Sequence, residues 1–332
     1  MSDLLQHIAS HPVSLALVIT GCALLLDLWI GEPVWLWRTV PHPVVLFGRA
    51  ISFLEKRLNN RKLSGKNRKR AGIIAALCLV LLAGCAGMAL QQLDGILGLS
   101  AQLVAVTILL AGRSLYDHVA AVARPLSSGD ISSARYHLSM IVGRKTDALA
   151  PDAISRAAIE TTAENLSDGV IAPASWYLVL GLPGIFIYKM INTADSMIGY
   201  KSARWLAFGW GAARLDDLAN LIPARLTGGL IVLAAFLPRP YIAWRAMRIM
   251  WRDAGYHRSP NAGWPEAAMA GALNIVLAGP RKYGARMSTD APLNPAGCSS
   301  PFLPPFRERT KRFVGCTFAT PLLSDALPGI LS

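Results

Sequence analysis

Long apolar runs separated by short, densely charged stretches dominate the chain. Val13 to Ile30 is apolar apart from Asp27 and long enough for a spanning helix. Ala71 to Leu90 is the clearest predicted span, and Gly72, Gly84 and Gly87 within it would allow close helix packing. Leu99 to Gly112 is a shorter apolar run that returns the chain across the membrane. Val170 to Ile191 is apolar but holds Pro173, Gly181, Pro183 and Gly184. That composition predicts a kinked span or, preferably, a re-entrant hairpin, which is tolerated where backbone faces protein or a cavity. Leu226 to Leu237 is the core of a last candidate span. Between these runs, Arg113 to Asp168 is polar and patterned like amphipathic helices. The pattern predicts an all-α, polytopic integral membrane bundle with amphipathic cytoplasmic helices and about four to six spans. Residues 1–284 form the membrane domain in this reading. The Pro-rich tail 285–332, with a basic patch at Arg307–Arg312, is left without assigned structure.

Composition sharpens the same picture. Hydrophobic residues make up 53% of the chain and charged residues 16%, with a mean hydropathy of +0.39. A soluble domain carries nearer a quarter charged residues. The net charge of +13 could suggest nucleic acid, but no zinc-ligand spacing or RNA-binding aromatic motif accompanies it. Residues 49–70 hold nine Lys or Arg against one acid, Glu55. That asymmetry places this stretch in the cytoplasm and the N-terminus outside. Residues 1–12 contain no Lys or Arg, so the first apolar run reads as a retained helix and not as a cleaved signal. Cys22, Cys78 and Cys85 lie in apolar runs and read as packing residues, while Cys298 and Cys316 sit in the tail. The spacings suggest neither a disulfide framework nor a zinc knuckle.

Ionisable residues set among apolar ones are costly unless paired, and so are functional candidates. Asp27 and the following Gly31-Glu32-Pro33 and Pro41-His42-Pro43 lie where the first helix leaves the membrane. Arg113, His118, Arg135 and Arg144 could clamp anions, because guanidinium forks suit phosphate and carboxylate. Glu160, Glu164 and Asp168 are spaced four apart, which on one helix puts them on one face. Magnesium fits such a set, since it takes a few carboxylates and keeps positions for water and phosphate. A solvated acidic face partnered by Arg156 is the plainer alternative. Asn192 and Asp195, three apart, follow directly on the Pro/Gly-broken run, in a stretch that also holds Lys189 and Ser196. A weaker patch surrounds Glu266 in Trp264-Pro-Glu266. Neither a P-loop nor a dinucleotide-binding glycine fingerprint is present, so any ATP use follows another design.

Taken in order, "DLWIGEP", "PHPV", "GRSLYDH", "LSMIVGR", "ETTAENLSDGVIAP", "YKMINTADSMIGYK" and "WPEAAMAGAL" resemble the CobD/CbiB family of adenosylcobinamide-phosphate synthases. The resemblance runs over roughly residues 20–284. It implies a multi-pass enzyme of the cell inner membrane, surrounded by lipid, with its active site facing the cytoplasm. The implied reaction joins the carboxylate of adenosylcobyric acid, a corrinoid, to the amine of aminopropanol or its O-phosphate. ATP and Mg²⁺ are the implied co-reactants, nucleic acid is not a partner, and other cobalamin-biosynthesis enzymes are candidate partners.

On that reaction, Glu164, Asp168 and Asp195 are expected to hold Mg²⁺, and Arg144 and Lys189 to bind phosphate oxygens. His118 or Glu160 would take the proton from the attacking amine. Asp27, His42, Arg113, Asn165, Asn192, Ser196 and Glu266 complete the expected substrate contacts. Two departures stand out. An Asp usually follows the Gly-Arg of "IVGR" in that family, where this chain has Lys145. Relatives also continue past "GPRKYG" to a closing apolar helix, where this chain has the Pro-rich tail. Two other classes fit the apolar pattern: a membrane prenyltransferase-like enzyme, and a transporter of a small anionic solute with the broken segment as its site.

Overall fold

A computed structural model describes residues 12–31, 34–237, 239–280, 282–283, 286–287 and 290–299. Expectations for residues 1–11, for Glu32 and Pro33, and for residues 300–332 with Cys316 and the Arg307–Arg312 patch lie outside the described residues. Helices come in the order α1 (Pro12–Ile30), α2 (Val34–Thr39), α3 (Pro43–Leu58), α4 (Gly65–Gln91), α5 (Gly95–Leu109), α6 (Gly112–Ser128), α7 (Ile131–Ser139) and α8 (Pro151–Leu166). A π-helical turn, Ser167–Ile171, leads into α9 (Ala172–Ile198). Then follow α10 (Trp210–Ala219), α11 (Leu221–Phe236), α12 (Pro240–Asp253) and α13 (Gly263–Leu273). Four two-residue strands complete the described chain: β1 (Leu277–Ala278), β2 (Lys282–Tyr283), β3 (Arg286–Met287) and β4 (Pro292–Leu293).

Among the described residues four helical stretches are long and apolar enough to cross a membrane: Val13–Ile30, Gly65–Gln91, Gly95–Ser128 and Pro151–Ile198. Helices α10 and α11 together make a fifth candidate. The predicted spans therefore exist as helices, with instructive differences. The basic stretch 49–70 is mostly helical, split between the end of α3 and the start of α4, with only residues 59–64 outside them. The predicted span ending at Gly112 stops at Leu109, because Leu110 turns extended (ψ 154) before α6 begins.

The chain divides into two compact units, Met1–Ser114 with Asp168–Asn220, and Leu115–Ser167 with Leu221–Ser332. In the first unit, α9 packs along α4 and also touches α3, α5 and α1. Tyr177, Leu182, Ile185 and Met190 of α9 are buried against Ala75, Leu79 and Ala83 of α4. Small residues permit the approach, since a methyl on Gly87 would meet the backbone of Pro183. The outward faces carry Leu17, Leu25, Leu77, Leu81 and Leu82, all exposed. Apolar side chains facing outward along apolar helices are what a lipid environment calls for. Cys22, Cys78 and Cys85 lie on these exposed faces, so they are not the packing residues their apolar context predicts.

Helix α9 is two helices. At Gly181 the backbone takes φ 66, ψ −150, a conformation close to glycine-only. A methyl on Gly184 would collide with the carbonyl of Trp176, eight residues earlier. Eight residues of continuous helix span about 12 Å, so such an approach requires the chain to fold back at Gly181. The run therefore folds as a hairpin of two helical arms. Its tip is fixed by Gln91 at the end of α4, whose Oε1 accepts the Leu182 N–H (2.9 Å).

A polar staple secures the chain after α9. Arg204 donates to both oxygens of Glu55 at the end of α3 (Nε to Oε1 3.0 Å, Nη2 to Oε2 2.8 Å). Asn59 donates to Glu55 Oε1 and to the Arg204 carbonyl. Arg68 of α4 donates to Asn59 Oδ1 and to the Arg204 carbonyl. The Arg204 hydrogen bond, helped by Asn59, holds the Glu55 carboxyl below its ordinary value against burial, which pushes it up. A carboxyl lowered on folding stabilises above its unfolded pKa and loses that contribution as pH falls through the folded value. Thermal unfolding in detergent should therefore show a modest acid step below the usual carboxylate range that is absent in Glu55→Gln. An unchanged step would remove the staple from the account.

In the second unit, α13 is the centre. Ala267, Ala268, Ala270 and Ala272 are buried, and α11 and α12 pack on them. Arg245 of α12 closes the end of α13 by donating to the carbonyls of Gly271 (2.7 Å) and Ala272 (2.9 Å). A second cluster joins α6, α7 and α8 through Val122, Leu126, Leu138, Ile154 and Ala157. The tail is ordered further than its proline content suggests. β4 pairs antiparallel with β1, and Ile275 bridges to Cys298. The Asn294 N–H donates to Asp253 Oδ2 (2.7 Å), while its side chain donates to the Ala270 and Ile275 carbonyls. These buried hydrogen bonds fix residues 292–298, which the sequence left unassigned.

Candidate active site

A polar cluster of the first unit forms where the second arm of the hairpin meets α10. Tyr188, Asn192 and Asp195 recur at i, i+4 and i+7, on one face of α9. Asp216 and Asn220 are one turn apart along α10 and at its end. Asn192 Nδ2 donates to Asp216 Oδ1 (3.3 Å) and Asn220 Nδ2 donates to Asp216 Oδ2 (3.1 Å). The Tyr188 hydroxyl stands 3.0 Å from both Asn220 Oδ1 and the Asp168 carbonyl, and its single proton serves either. Trp176, on the first arm, donates its Nε1 proton to the Ala219 carbonyl (3.0 Å), so both arms hold α10.

Asp195 and Asp216 lie within electrostatic reach of one another, with Asp217 close by. Asp217 pairs with Arg214 (2.9 Å), whereas neither Asp195 nor Asp216 has a Lys or Arg at ion-pair distance among the described residues. Two carboxyls this close in a partly buried site repel each other as anions, a repulsion that a retained proton or a bound cation would relieve. Lys189 is buried on the same turn of helix as Tyr188.

The π turn contributes to this arrangement. Ser167–Ile171 inserts a wider turn between α8 and α9, and the Gly169 carbonyl accepts the Ala111 N–H (3.1 Å). It also ends the four-residue phase of Glu160 and Glu164 before Asp168 is reached. Buried Glu160 and exposed Glu164 stand four apart within regular α8 and keep to one side of it, while half-buried Asp168 lies in the π turn, where that spacing no longer holds. Among the described residues no three His, Cys, Asp or Glu side chains gather into a set able to hold a metal. The expected trio Glu164, Asp168 and Asp195 is thus not assembled; the acids beside Asp195 are Asp216 and Asp217.

Several other expected site residues have structural partners. Asp27, buried, accepts the Gly112 N–H (2.7 Å) and the Arg113 N–H (3.2 Å), capping the start of α6. Arg113 donates in return to the Leu28 carbonyl (3.0 Å). His42 is the N-cap of α3, accepting the Val44 N–H on Nδ1 (3.2 Å). Asn165 donates to the Thr161 carbonyl of its own helix (2.9 Å), and Ser196 is exposed.

In the second unit, Glu160 accepts the Ala278 N–H (2.7 Å) and pairs with Arg144 (3.5 Å), not with Arg156. Arg135 donates to the Leu149 carbonyl and Thr146 to the Arg135 carbonyl, which pins the loop carrying Arg144 and the exposed Lys145. Glu266 is buried with His257 Nε2 at 3.6 Å, and His118 is exposed on α6.

Sequence reading passed over Asp216, Asn220 and Tyr188 as site residues. The signal for two of them was present: an Asp-Asp pair with Asn four residues on, at the edge of an apolar run. Periodicity within one helix cannot join it to Asn192, because the contact is between helices.

Comparison with known proteins gives a consistent picture. Residues 20–300 match the family model described as CobD/Cbib protein. A Cobalamin biosynthesis protein CobD of Brucella anthropi is 51% identical over 289 residues, covering 86% of this chain and 88% of the relative. One from a Sinorhizobium species is 50% identical over 285 residues, 85% of this chain and 88% of the relative. One from Rhodobacter capsulatus is 48% identical over 276 residues, 81% and 84% of the two chains. No solved structure matches the chain.

Proposed function

This chain belongs to the CobD/CbiB family, and from that premise we propose that it is a membrane enzyme of cobalamin biosynthesis that condenses adenosylcobyric acid with aminopropanol or its O-phosphate, using ATP. The observation that carries the chemical part is the hydrogen-bonded cluster of Tyr188, Asn192, Asp216 and Asn220, with Asp195 within electrostatic reach of Asp216.

A carboxylate resists attack by an amine, so it needs a leaving group. In the proposed sequence, a carboxylate oxygen of the corrinoid attacks the γ-phosphorus of ATP, and the bond to ADP breaks. The amine nitrogen then attacks the acyl carbon, the C–N bond forms, and phosphate departs carrying the amine proton. Both steps concentrate negative charge on phosphoryl oxygens. Lys189, buried one residue after Tyr188, is the candidate to bind phosphoryl oxygens. The hard oxygens of Asp195 and Asp216, unpaired with any cationic side chain, suit Mg²⁺, with the Asn192 amide beside them. Bound there, the ion would neutralise phosphoryl charge. Asn220 and Asn192 orient the Asp216 carboxylate, and Tyr188 fixes Asn220, so the acceptor geometry is set before substrate arrives. We place this face of an inner-membrane protein toward the cytoplasm, where ATP is available.

The test is a product assay on membranes containing this chain, supplied with adenosylcobyric acid, aminopropanol phosphate and MgATP. The expected result is a corrinoid heavier by the condensed amine, formed only when ATP is present. Lys145 is exposed in the pinned loop, so Lys145→Asp is tested in parallel. No product from either form, with protein present in the membrane, overturns the reading.

A further inference from the structure

Two consecutive helices of the second unit present outward faces of different chemistry. Helix α11 buries Ala224, Thr227, Gly228, Ile231 and Ala235. Its outward stripe of Ile222, Leu226, Leu230, Leu233 and Leu237 is aliphatic, with Leu233 65% and Leu237 73% exposed, and exposed Arg225 and Phe236 flank it. Helix α12 buries Ala243, Ala246, Ile249, Met250 and Asp253. Its outward face carries Tyr241, Trp244, Arg248 and Trp251, with Trp244 63% and Trp251 68% exposed. Trp244, Arg248 and Trp251 stand at i, i+4 and i+7, one continuous stripe. Arg239, also exposed, precedes the first turn.

The outward side of α11 is thus mainly aliphatic, with one arginine and one phenylalanine, whereas that of α12 is rich in Trp, Tyr and Arg. Aliphatic side chains alone suit hydrocarbon. Trp and Tyr concentrate where hydrocarbon meets headgroups, because one end of each ring system is apolar and the other polar. Arginine forks match phosphate oxygens. Of the arginines on α12, Arg245 is committed to the end of α13 and Arg252 to Asp253 (2.6 Å). Arg239 and Arg248 form neither kind of contact.

We propose that the outward face of α12 is an interfacial anchor that binds anionic phospholipid headgroups through Arg239 and Arg248, with Trp244 and Trp251 seated at the headgroup level. The buried face of the helix remains packed on α13, so the anchor is rigid and needs no ordering on contact with lipid. The inference is independent of the reaction proposed above. It needs only that this unit meets a bilayer.

The full-length protein is placed in phosphatidylcholine nanodiscs with and without phosphatidylglycerol. Hydrogen exchange of residues 240–253 should slow when phosphatidylglycerol is present, and brominated lipid should quench fluorescence lost in Trp244→Phe and Trp251→Phe. Arg239→Gln with Arg248→Gln should weaken phosphatidylglycerol retention about 30-fold, or about fivefold per charge, the equivalent of about 1 kcal/mol for each basic residue at a membrane surface. Arg239→Lys with Arg248→Lys should retain most of it. Equal exchange in the two lipids overturns the proposal without recourse to variants, as does unchanged retention in the Gln pair. Shielding of this face in lipid-free detergent that grows with protein concentration also overturns it, because a second copy would then be the occupant.

Discussion

Asp216→Ala should lower amide formation on the order of 10²-fold or more while the protein still inserts and melts near the wild-type temperature, as expected for loss of a preorganised charge at a phosphoryl site. The geometry gives reasons to expect so large an effect from one side chain. Asp216 is held by Asn192 and Asn220 from two directions and faces Asp195. Removing it discards a charge and also leaves two amides without their acceptor. Asp216→Asn separates these contributions, since an amide oxygen can still accept from one neighbour while the charge is gone. If charge carries the function, Asn should be nearly as inactive as Ala, and excess Mg²⁺ should recover part of the rate in Asn but not in Ala. Asp217→Ala serves as the neighbouring control, because its partner is Arg214 on the same helix. Equal losses at 216 and 217, or wild-type rates in Asp216→Ala, would remove the cluster from the mechanism.

Gly181→Ala should destabilise the first unit by about 1–3 kcal/mol, the usual cost of a side chain in a glycine-only backbone conformation. A Cβ there would also press against the Gln91 side chain, whose amide oxygen caps Leu182. The two causes can be told apart by a double-mutant comparison. Gln91→Ala removes the obstruction together with the cap, so Gly181→Ala should cost less in that background than in the wild type. The backbone strain would persist. Thermal unfolding in detergent measures both. A fully neutral Gly181→Ala would mean that the chain does not reverse at this position.

Much of the fold was legible because apolar runs of spanning length leave few alternatives. The proline and glycine content of Val170–Ile191 announced a break, and Gly181 is where the backbone reverses. The limits of the sequence lie where tertiary partners decide. Asp27 looked like a costly buried acid, but its role as cap of α6 depends on residues 85 and 86 positions away. Glu160, Glu164 and Asp168 looked like one face, but the π turn at Ser167 ends the regular period. Residues 292–298 looked unstructured for their prolines and polarity, yet Asp253 and the Ala270 carbonyl supply the hydrogen bonds that order them. Asn192 and Asp195 were visible as a pair, while Asp216 required α10 to be brought alongside them.

The reversal at Gly181 also bears on traffic. The first arm, residues 172–180, is about 13 Å long at 1.5 Å per residue, less than half of a hydrocarbon layer about 30 Å thick. The second arm returns to the level at which the first began, as the contact between Tyr188 and Asp168 requires. On the function proposed above, the cluster would then face the side of the membrane from which the first arm enters. If the proposed condensation takes place there, nucleotide, amine and corrinoid reach it and leave it from that one side, and the chemistry is non-vectorial.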